Sequence, residues 1–214
     1  MVKDEINLRY DLHIHSKYSY DSFMNPIKIT QIAKKKGLDG VAITDHNTIE
    51  GGLVAYKFND DTFQVIIGSE IKTEYGDIIG LFLNEEIGTN VFGEVVDQIK
   101  AQDGIVILAH PYRQFKFPEK LAGKTELIEV FNARSKNRWN DESLKLAQKL
   151  NKVGTAGSDA HTYGEIGRGT IISSSKLSRN INSFNNLKIE GNESNYYFYH
   201  GISVTMEKIK KVIS

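Results

Sequence analysis

No cysteine occurs in this chain of 214 residues. That excludes disulfides, thiolate metal ligands and a cysteine nucleophile together, so any transition metal must be held by nitrogen and oxygen. A charge surplus is also missing. Lys+Arg and Asp+Glu stand at 27 each, so no overall positive field favours a long nucleic acid as partner, although short strands stay open. The longest apolar run beside a motif, Ile105 to Ala109, is far shorter than the roughly 20 residues a membrane-spanning helix needs. The beginning, MVKDEINLRYDL, has no apolar stretch of signal-peptide type. These absences lead to an expectation of a cytoplasmic protein without membrane contact. There is no internal repeat and no low-complexity tract; Ser173 to Asn195, rich in Ser and Asn, reads as a loose loop. The length suits one α/β domain over residues 1–214.

What is present is an alternation of short apolar runs with helical periodicity. Leu8–Ile14, Val41–Thr44, Phe63–Ser69, Ile78–Leu83, Ile105–Ala109, Leu127–Phe131, Val153–Gly157 and Thr170–Ile172 read as strands. Between the first two, Asn25-Pro26 opens a helix with Ile29, Ile32 and Ala33 on its apolar face, and Gly37 ends it. Phe92, Val95, Val96 and Ile99 recur at helical spacing. Asn140–Lys152 reads as a helix with Leu144, Ala147 and Leu150 inward, and Val204–Ile213 as a closing helix. Strand alternating with helix implies a parallel sheet, open or closed into a barrel.

The titratable residues cluster at particular places in this pattern. His13 and His15 end the first strand in DLHIH, Asp45 and His46 the second in AITDHNT, and Glu70 the third in IIGSE. His110 ends the apolar run in VILAHP, and Asp159 and His161 follow a late strand in TAGSDAH. Five of the six histidines thus fall at strand C-termini, where parallel α/β folds build their sites. A single histidine so placed is more often a surface group than a ligand; five, beside three carboxylates, point to a metal site. Residues two apart on a strand share a face, so His13 with His15, and Asp159 with His161, can each chelate one ion. Imidazole plus carboxylate suits Zn, Mn or Fe, and a carboxylate such as Glu70 can bridge two cations. So many ligands exceed the needs of one metal. His200 lies in a polar-aromatic stretch and carries no such signal.

DLHIHSKYSYDS, AITDHNT, GSE, AHP and SDAH, in that sequence along the chain, resemble the PHP (polymerase and histidinol phosphatase) family of metal-dependent phosphoesterases, from Asp11 to about Gly169. The resemblance implies a distorted seven-stranded, TIM-barrel-like (β/α) barrel with two or three divalent metals (Mn, Zn or Fe) at its C-terminal face. It further implies that His13, His15, Glu70 and Asp159 hold one metal, Glu70 and His110 a second, and Asp21, His46 and His161 a third. Asp45 matches the family's TDH pair and joins the catalytic set by orienting a ligand from behind. Many members carry a histidine in the strand after the motif Glu; here Asp77 stands at the nearest equivalent position, as ligand or as turn residue.

The chemistry that follows is hydrolysis of a phosphoester by a hydroxide bridging two cations, since metal can lower the pKa of bound water to roughly 7. Arg113 in HPYR, Arg134 in FNAR and Arg168 in GRG are candidates to bind the phosphoryl oxygens, with Arg113 the first choice because it follows a ligand by three residues. Asn132, ending a strand, could face the site. No serine has the His–Asp partner a nucleophile needs, and neither glycine pair follows a strand as a phosphate loop would. The expected substrate is a small phosphoester: a phosphomonoester, a nucleotide or the end of a short oligonucleotide. Histidinol-phosphate phosphatase and a non-catalytic metal-binding regulatory module are the alternatives.

Overall fold

The computed structural model describes residues 7–114, 117–192 and 196–213. In chain order the elements are β1 (Leu8–Ile14), α1 (Pro26–Lys35), β2 (Gly40–His46), α2 (Glu50–Tyr56), β3 (Gln64–Lys72), β4 (Asp77–Leu81), α3 (Phe92–Ala101) and β5 (Ile105–Leu108). Then come α4 (Pro111–Gln114), α5 (Pro118–Ala122), β6 (Leu127–Asn132), α6 (Asn137–Lys149), β7 (Val153–Gly157), β8 (Gly169–Ser173), a 3-10 turn (Ile181–Phe184), β9 (Lys188–Gly191) and α7 (Tyr196–Ile213).

The strands form one sheet, ordered β7-β6-β5-β4-β3-β2-β1-β8-β9. It curls until its β7 end reaches β1: Ile14 bridges Ala160 in parallel fashion, and the His15 amide donates to the Ala160 carbonyl at 2.9 Å. Gly157 permits this seam, because a Cβ there would lie 2.3 Å from the His13 Cβ. The result is a nearly closed α/β barrel with nine strands among the described residues, where the resemblance implied seven.

The sheet is also mixed rather than wholly parallel. β1–β2–β3 and β5–β6–β7 run parallel, but β4 is antiparallel to both its neighbours, as β8 is to β1 and β9 to β8. Between β3 and β4 lies only the turn at Thr73–Gly76, closed by Thr73 donating twice to the Gly76 carbonyl. A parallel connection needs a crossover of roughly a dozen residues or more, so so short a link forces a hairpin. The stretch expected to be a loose loop holds the 3-10 turn and β9, with Leu177 and Phe184 buried beside Tyr10; its residues 193–195 lie outside the described residues. The abundant Ser and Asn serve the turns, while two apolar anchors suffice to order the segment.

Apolar side chains fill the barrel interior (Tyr10, Leu12, Ala42, Ile66, Ile79, Ile107, Leu127 and neighbours). Two outer layers lie against the helices, one under α1 and α2 and one under α3 and α6. α1 starts where its sequence indicates: the Asn25 side chain accepts from the Ile27 amide, Pro26 occupies the first turn, and Ile29 and Ala33 are fully buried. Losing that cap costs about 1 kcal/mol. α6 departs from expectation. It begins at Asn137 and buries Asn140, Ser143, Leu146 and Ala147, leaving Leu144 46% exposed. The Asn140 amide brackets the Asn132 backbone, accepting from its N–H at 3.1 Å and donating to its C=O at 3.2 Å, which sets the helix rotation and braces the end of β6.

Candidate metal centre

The strands of this barrel bring nearly every chemistry-bearing residue to one end. β1 delivers His13 and His15, β2 His46 and β3 Glu70; His110 follows β5, Asp159 and His161 follow β7, and Asp21 arrives on the loop after β1. A register shift between Asp11 and Ile14 bends β1 at this point. Leu12 packs in the barrel interior and Ile14 in the outer layer, and the irregularity turns both flanking imidazoles toward the site. Their Nε2 atoms are 3.1 Å apart.

The donors form three interlocking groups, each with its ligand atoms within 4.8 Å of one another: His13, Glu70 and His110; His13, His15 and Asp159; and His15, Asp21, His46 and His161. Glu70 stands at the centre. One of its oxygens lies 2.9 Å from His110 Nε2, the other 3.3 Å from the Nε2 atoms of His13 and His15 and 3.2 Å from His46 Nδ1. Relative to the grouping the resemblance implied, His15 also belongs with Asp21, His46 and His161, and His13 is shared between two groups. Asp21 Oδ1 and His110 Nδ1 are buried without a hydrogen-bond partner. An all nitrogen–oxygen donor set packed this closely, with orphaned donors and acceptors, fits divalent cations.

Partners behind the ligands settle which ring nitrogen faces the centre. His13 Nδ1 lies 2.9 Å from Glu129 Oε1, so the N–H donates to the carboxylate and Nε2 keeps its lone pair for a cation. Ser19 donates to Asp45 Oδ1 at 2.8 Å and accepts the His46 amide at 3.0 Å. Its remaining lone pair takes the N–H of His15 Nδ1 at 3.0 Å, which again frees Nε2. Asp45 is fully buried, also bonds the Ser16 amide and hydroxyl, and does not line the cavity. It is therefore a positioning residue acting through Ser19 and not a group that meets substrate, because on β2 it points to the face opposite Thr44 and His46. Glu129 was missed by the sequence reading. Its signal is a lone carboxylate inside the apolar run Leu127–Phe131, where it also accepts from the His110 backbone N–H (2.9 Å) and the Asn132 side-chain Nδ2 (3.1 Å).

The electrostatics match a cation site. Burial alone would raise the carboxyls of Glu70 and Asp159, but the surrounding imidazoles, and for Asp159 the Arg113 guanidinium, hold both well below the ordinary range. Burial opposes a charge on His15, yet Asp159 and Glu70 lift it to about 9. His13 is likewise raised, by Glu70, Glu129 and Asp159 against burial. Protons thus occupy the places that cations would take. His161 goes the other way, down to about 4 through burial and the nearby His15 and Arg134, and so offers a neutral ring.

A cavity of about 380 Å³ opens over the cluster. Arg113 and Arg134 both line it. Arg113 donates to Asp159 (2.8 Å), Asn132 (2.6 Å) and Ser135 (3.0 Å), so Asn132 serves to place the arginine. Arg134 pairs with Glu165 at 3.1 Å and lies 2.7 Å from His161 Nδ1. Asp77 lines the same cavity beside Glu70; burial and the Glu70 charge raise its carboxyl, and it stands outside the three tight groups. Arg168 is not among the lining residues. Its guanidinium sits 5.3 Å from the Tyr199 ring centroid, so the structure gives it no place at the phosphoryl end. His200 lies in α7 with its side chain outside the described residues. The sequence reading also missed Tyr20, stacked on His46 with ring centroids 4.6 Å apart, and the three α7 residues Ser203, Val204 and Glu207 in the cavity wall. No helix among the described residues is long and apolar enough to cross a membrane.

A nearly closed α/β barrel carrying a histidine–carboxylate cluster at its strand ends defines a class of metal-binding barrel proteins. Within it, the chain belongs to the PHP domain family, whose profile matches residues 11–188. Among relatives, it is 47% identical over 117 residues to the uncharacterized protein MJ1587 of Methanocaldococcus jannaschii, covering 49% of this chain and 68% of that one. It is 32% identical over 176 residues to the uncharacterized protein MJ0417 of the same organism, covering 77% and 70%. Among solved structures, the fold resembles a two-domain protein from Bacteroides vulgatus containing a predicted PHP-like metal-dependent phosphoesterase (TM-score 0.71, 19% identity, 86% of this chain). The chain spans 65% of that protein's length. It also resembles an amidohydrolase from Chromobacterium violaceum (TM-score 0.61, 17% identity, covering 73% of this chain and 88% of that one).

Proposed function

We propose that this protein is a metal-dependent phosphoesterase that hydrolyses a small phosphorylated substrate, a phosphomonoester, a nucleotide or the end of a short nucleic acid strand. The observation that carries the reading is the convergence of three donor groups, linked through His13 and His15, on a cavity that Arg113 and Arg134 also line. His13, His15, Asp21, His46, Glu70, His110, Asp159 and His161 would hold two or three divalent ions, Mn, Zn or Fe, with Asp77 as a supplementary oxygen donor. Bound there, such ions supply Lewis acidity toward a phosphoryl oxygen and an activated water.

The chain's own residues do the rest. Glu129 and the Asp45–Ser19 pair hold the imidazoles in the tautomer that presents Nε2. Arg113, anchored by Asn132 and Ser135, keeps part of its fork for the phosphoryl oxygens as negative charge builds on them. Tyr20, whose hydroxyl is pushed up by burial and by the charge of Asp21, stays protonated and can donate a hydrogen bond at the cavity wall.

The test is metal content of protein purified without chelators, together with turnover of an aryl phosphate and an aryl phosphodiester. Two or three ions per chain with turnover is the expected result, and the preferred ester separates monoesterase from diesterase. Absence of tightly bound metal, with no turnover after Mn or Zn is added, would instead identify a binding module.

A further inference from the structure

We propose that α7 is an intrachain cap that forms the leaving-group wall of the site, with Ser203 and Glu207 selecting a compact phosphomonoester whose leaving group carries hydroxyl or ammonium donors, and excluding nucleic acid strands. This rests on the phosphoesterase reading and names its substrate class.

Three observations carry it. First, α7 contributes Ser203, Val204 and Glu207 to the cavity that opens over the ligands, although it lies beyond residue 188, where the family match ends. Second, its hold on the barrel is polar. Arg134 Nη2 donates to the Tyr199 carbonyl and to Ser203 Oγ (3.0 Å), and Lys210 Nζ donates to the carbonyls of Lys17 (2.7 Å) and Ser19. No α7 residue joins the three apolar clusters among the described residues. Third, each latch lands on a residue that already serves the site. Arg134 touches His161, and the loop that receives Lys210 carries Ser19, which holds His15.

The lining chemistry identifies what the wall meets. The ligand groups that would hold cations, with Arg113 and Arg134, would take the phosphoryl end, so the rest of the substrate would extend toward α7. Glu207 belongs to none of the ligand groups, and its carboxylate, half-exposed and paired at one oxygen with Lys211 at 2.5 Å, retains acceptor capacity toward the cavity. Ser203 Oγ accepts from Arg134 and keeps its own proton to donate. A leaving-group hydroxyl satisfies both, donating to Glu207 and accepting from Ser203, while an ammonium donates to Glu207 and to the second lone pair of Ser203 Oγ. On a strand, the next phosphate along this wall would meet the Glu207 carboxylate, which costs affinity.

The experiment measures kcat/KM of the Mn-loaded full-length chain for glycerol phosphate, p-nitrophenyl phosphate and a 5′-phosphorylated dinucleotide, in the parent, Glu207→Gln and Lys210→Ala. Glu207→Gln is expected to lower the preference for glycerol phosphate over the aryl ester about tenfold, the scale of one charge-assisted hydrogen bond. Lys210→Ala is expected to shift selectivity toward the dinucleotide and, independently of turnover, to speed amide hydrogen exchange across α7. Unchanged ester ratios in both variants, or unchanged exchange in Lys210→Ala, would overturn the cap while leaving the phosphoesterase intact. No turnover of any ester by the metal-loaded parent would overturn both readings.

Discussion

The strand-end cluster and the α7 cap border the same cavity but are built by opposite rules. Cluster ligands are almost wholly buried, sit on or just past strands of the barrel, and each of His13 and His15 is braced by a second residue behind it. α7 is half-exposed, carries Phe198, Ile209 and Val212 to solvent, and meets the barrel through a handful of polar contacts. Ligand geometry must hold to a fraction of an ångström, which packed strands provide. A wall that selects substrates needs only shape and a few polar groups, and these tolerate a lightly held helix. The difference also follows the chain, since the braced part lies within the shared family domain and the cap outside it.

Asp159→Asn should give the largest effect on this comparison. Loss of a ligand and of the Arg113 partner is expected to reduce kcat/KM on the order of a thousandfold, with circular dichroism unchanged. Near-parental turnover with lowered metal content would show that the cluster is not the reacting centre. Glu129→Gln comes next. By removing the negative charge behind His13 it should weaken cation affinity about 10–100-fold, read by competition against a chelator; parental affinity would mean that the bracing is structural only.

The pH dependence of the chelated chain sharpens the contrast further. His15 is raised from 6.5 to about 9 by Asp159 and Glu70, against burial. A raised folded pKa means that its proton stabilises the fold fully below the unfolded value and that this contribution is lost as pH climbs toward 9. The thermal midpoint of chelated protein should therefore fall over that window, and the stabilisation given by added Mn should grow over it, because cations replace the departing proton. A midpoint flat between pH 6.5 and 9 in the chelated chain would contradict the protonated cluster. The smallest effect should be on α7. Ile209→Ala, at a position 47% exposed, should change stability by less than about 0.5 kcal/mol, whereas Ile99→Ala, fully buried under the sheet, should cost about 2–5 kcal/mol by urea unfolding. Equal costs would place α7 in the core.

Much of the site could be read before any fold was known, since the ligands occur in short motifs at strand ends, where position along the chain implies position in space. Asp11 to His15, Asp45-His46 and Asp159 to His161 are local patterns of this kind. Glu129 escaped because nothing near it in sequence marks it; only the pairing of β5, β6 and β7 brings it behind His13, 116 positions away. Arg168 shows the converse. Its guanidinium fork made it a candidate for a phosphoryl contact, but the structure sets it over the Tyr199 ring and outside the cavity lining. Leu144 fits helical spacing, yet Asn140's bonds to the β6 backbone turn it outward.

The sequence by itself determined the donor chemistry, the α/β class and the family, because ligand type, strand–helix alternation and motif spacing are local properties. Tertiary structure alone decided the closing seam at Gly157, the sharing of His13 and His15 between donor groups, the buried brace at Glu129 and the placement of α7 over the cavity. Each of these depends on contacts between residues far apart in the chain, whose geometry is set by how the barrel packs.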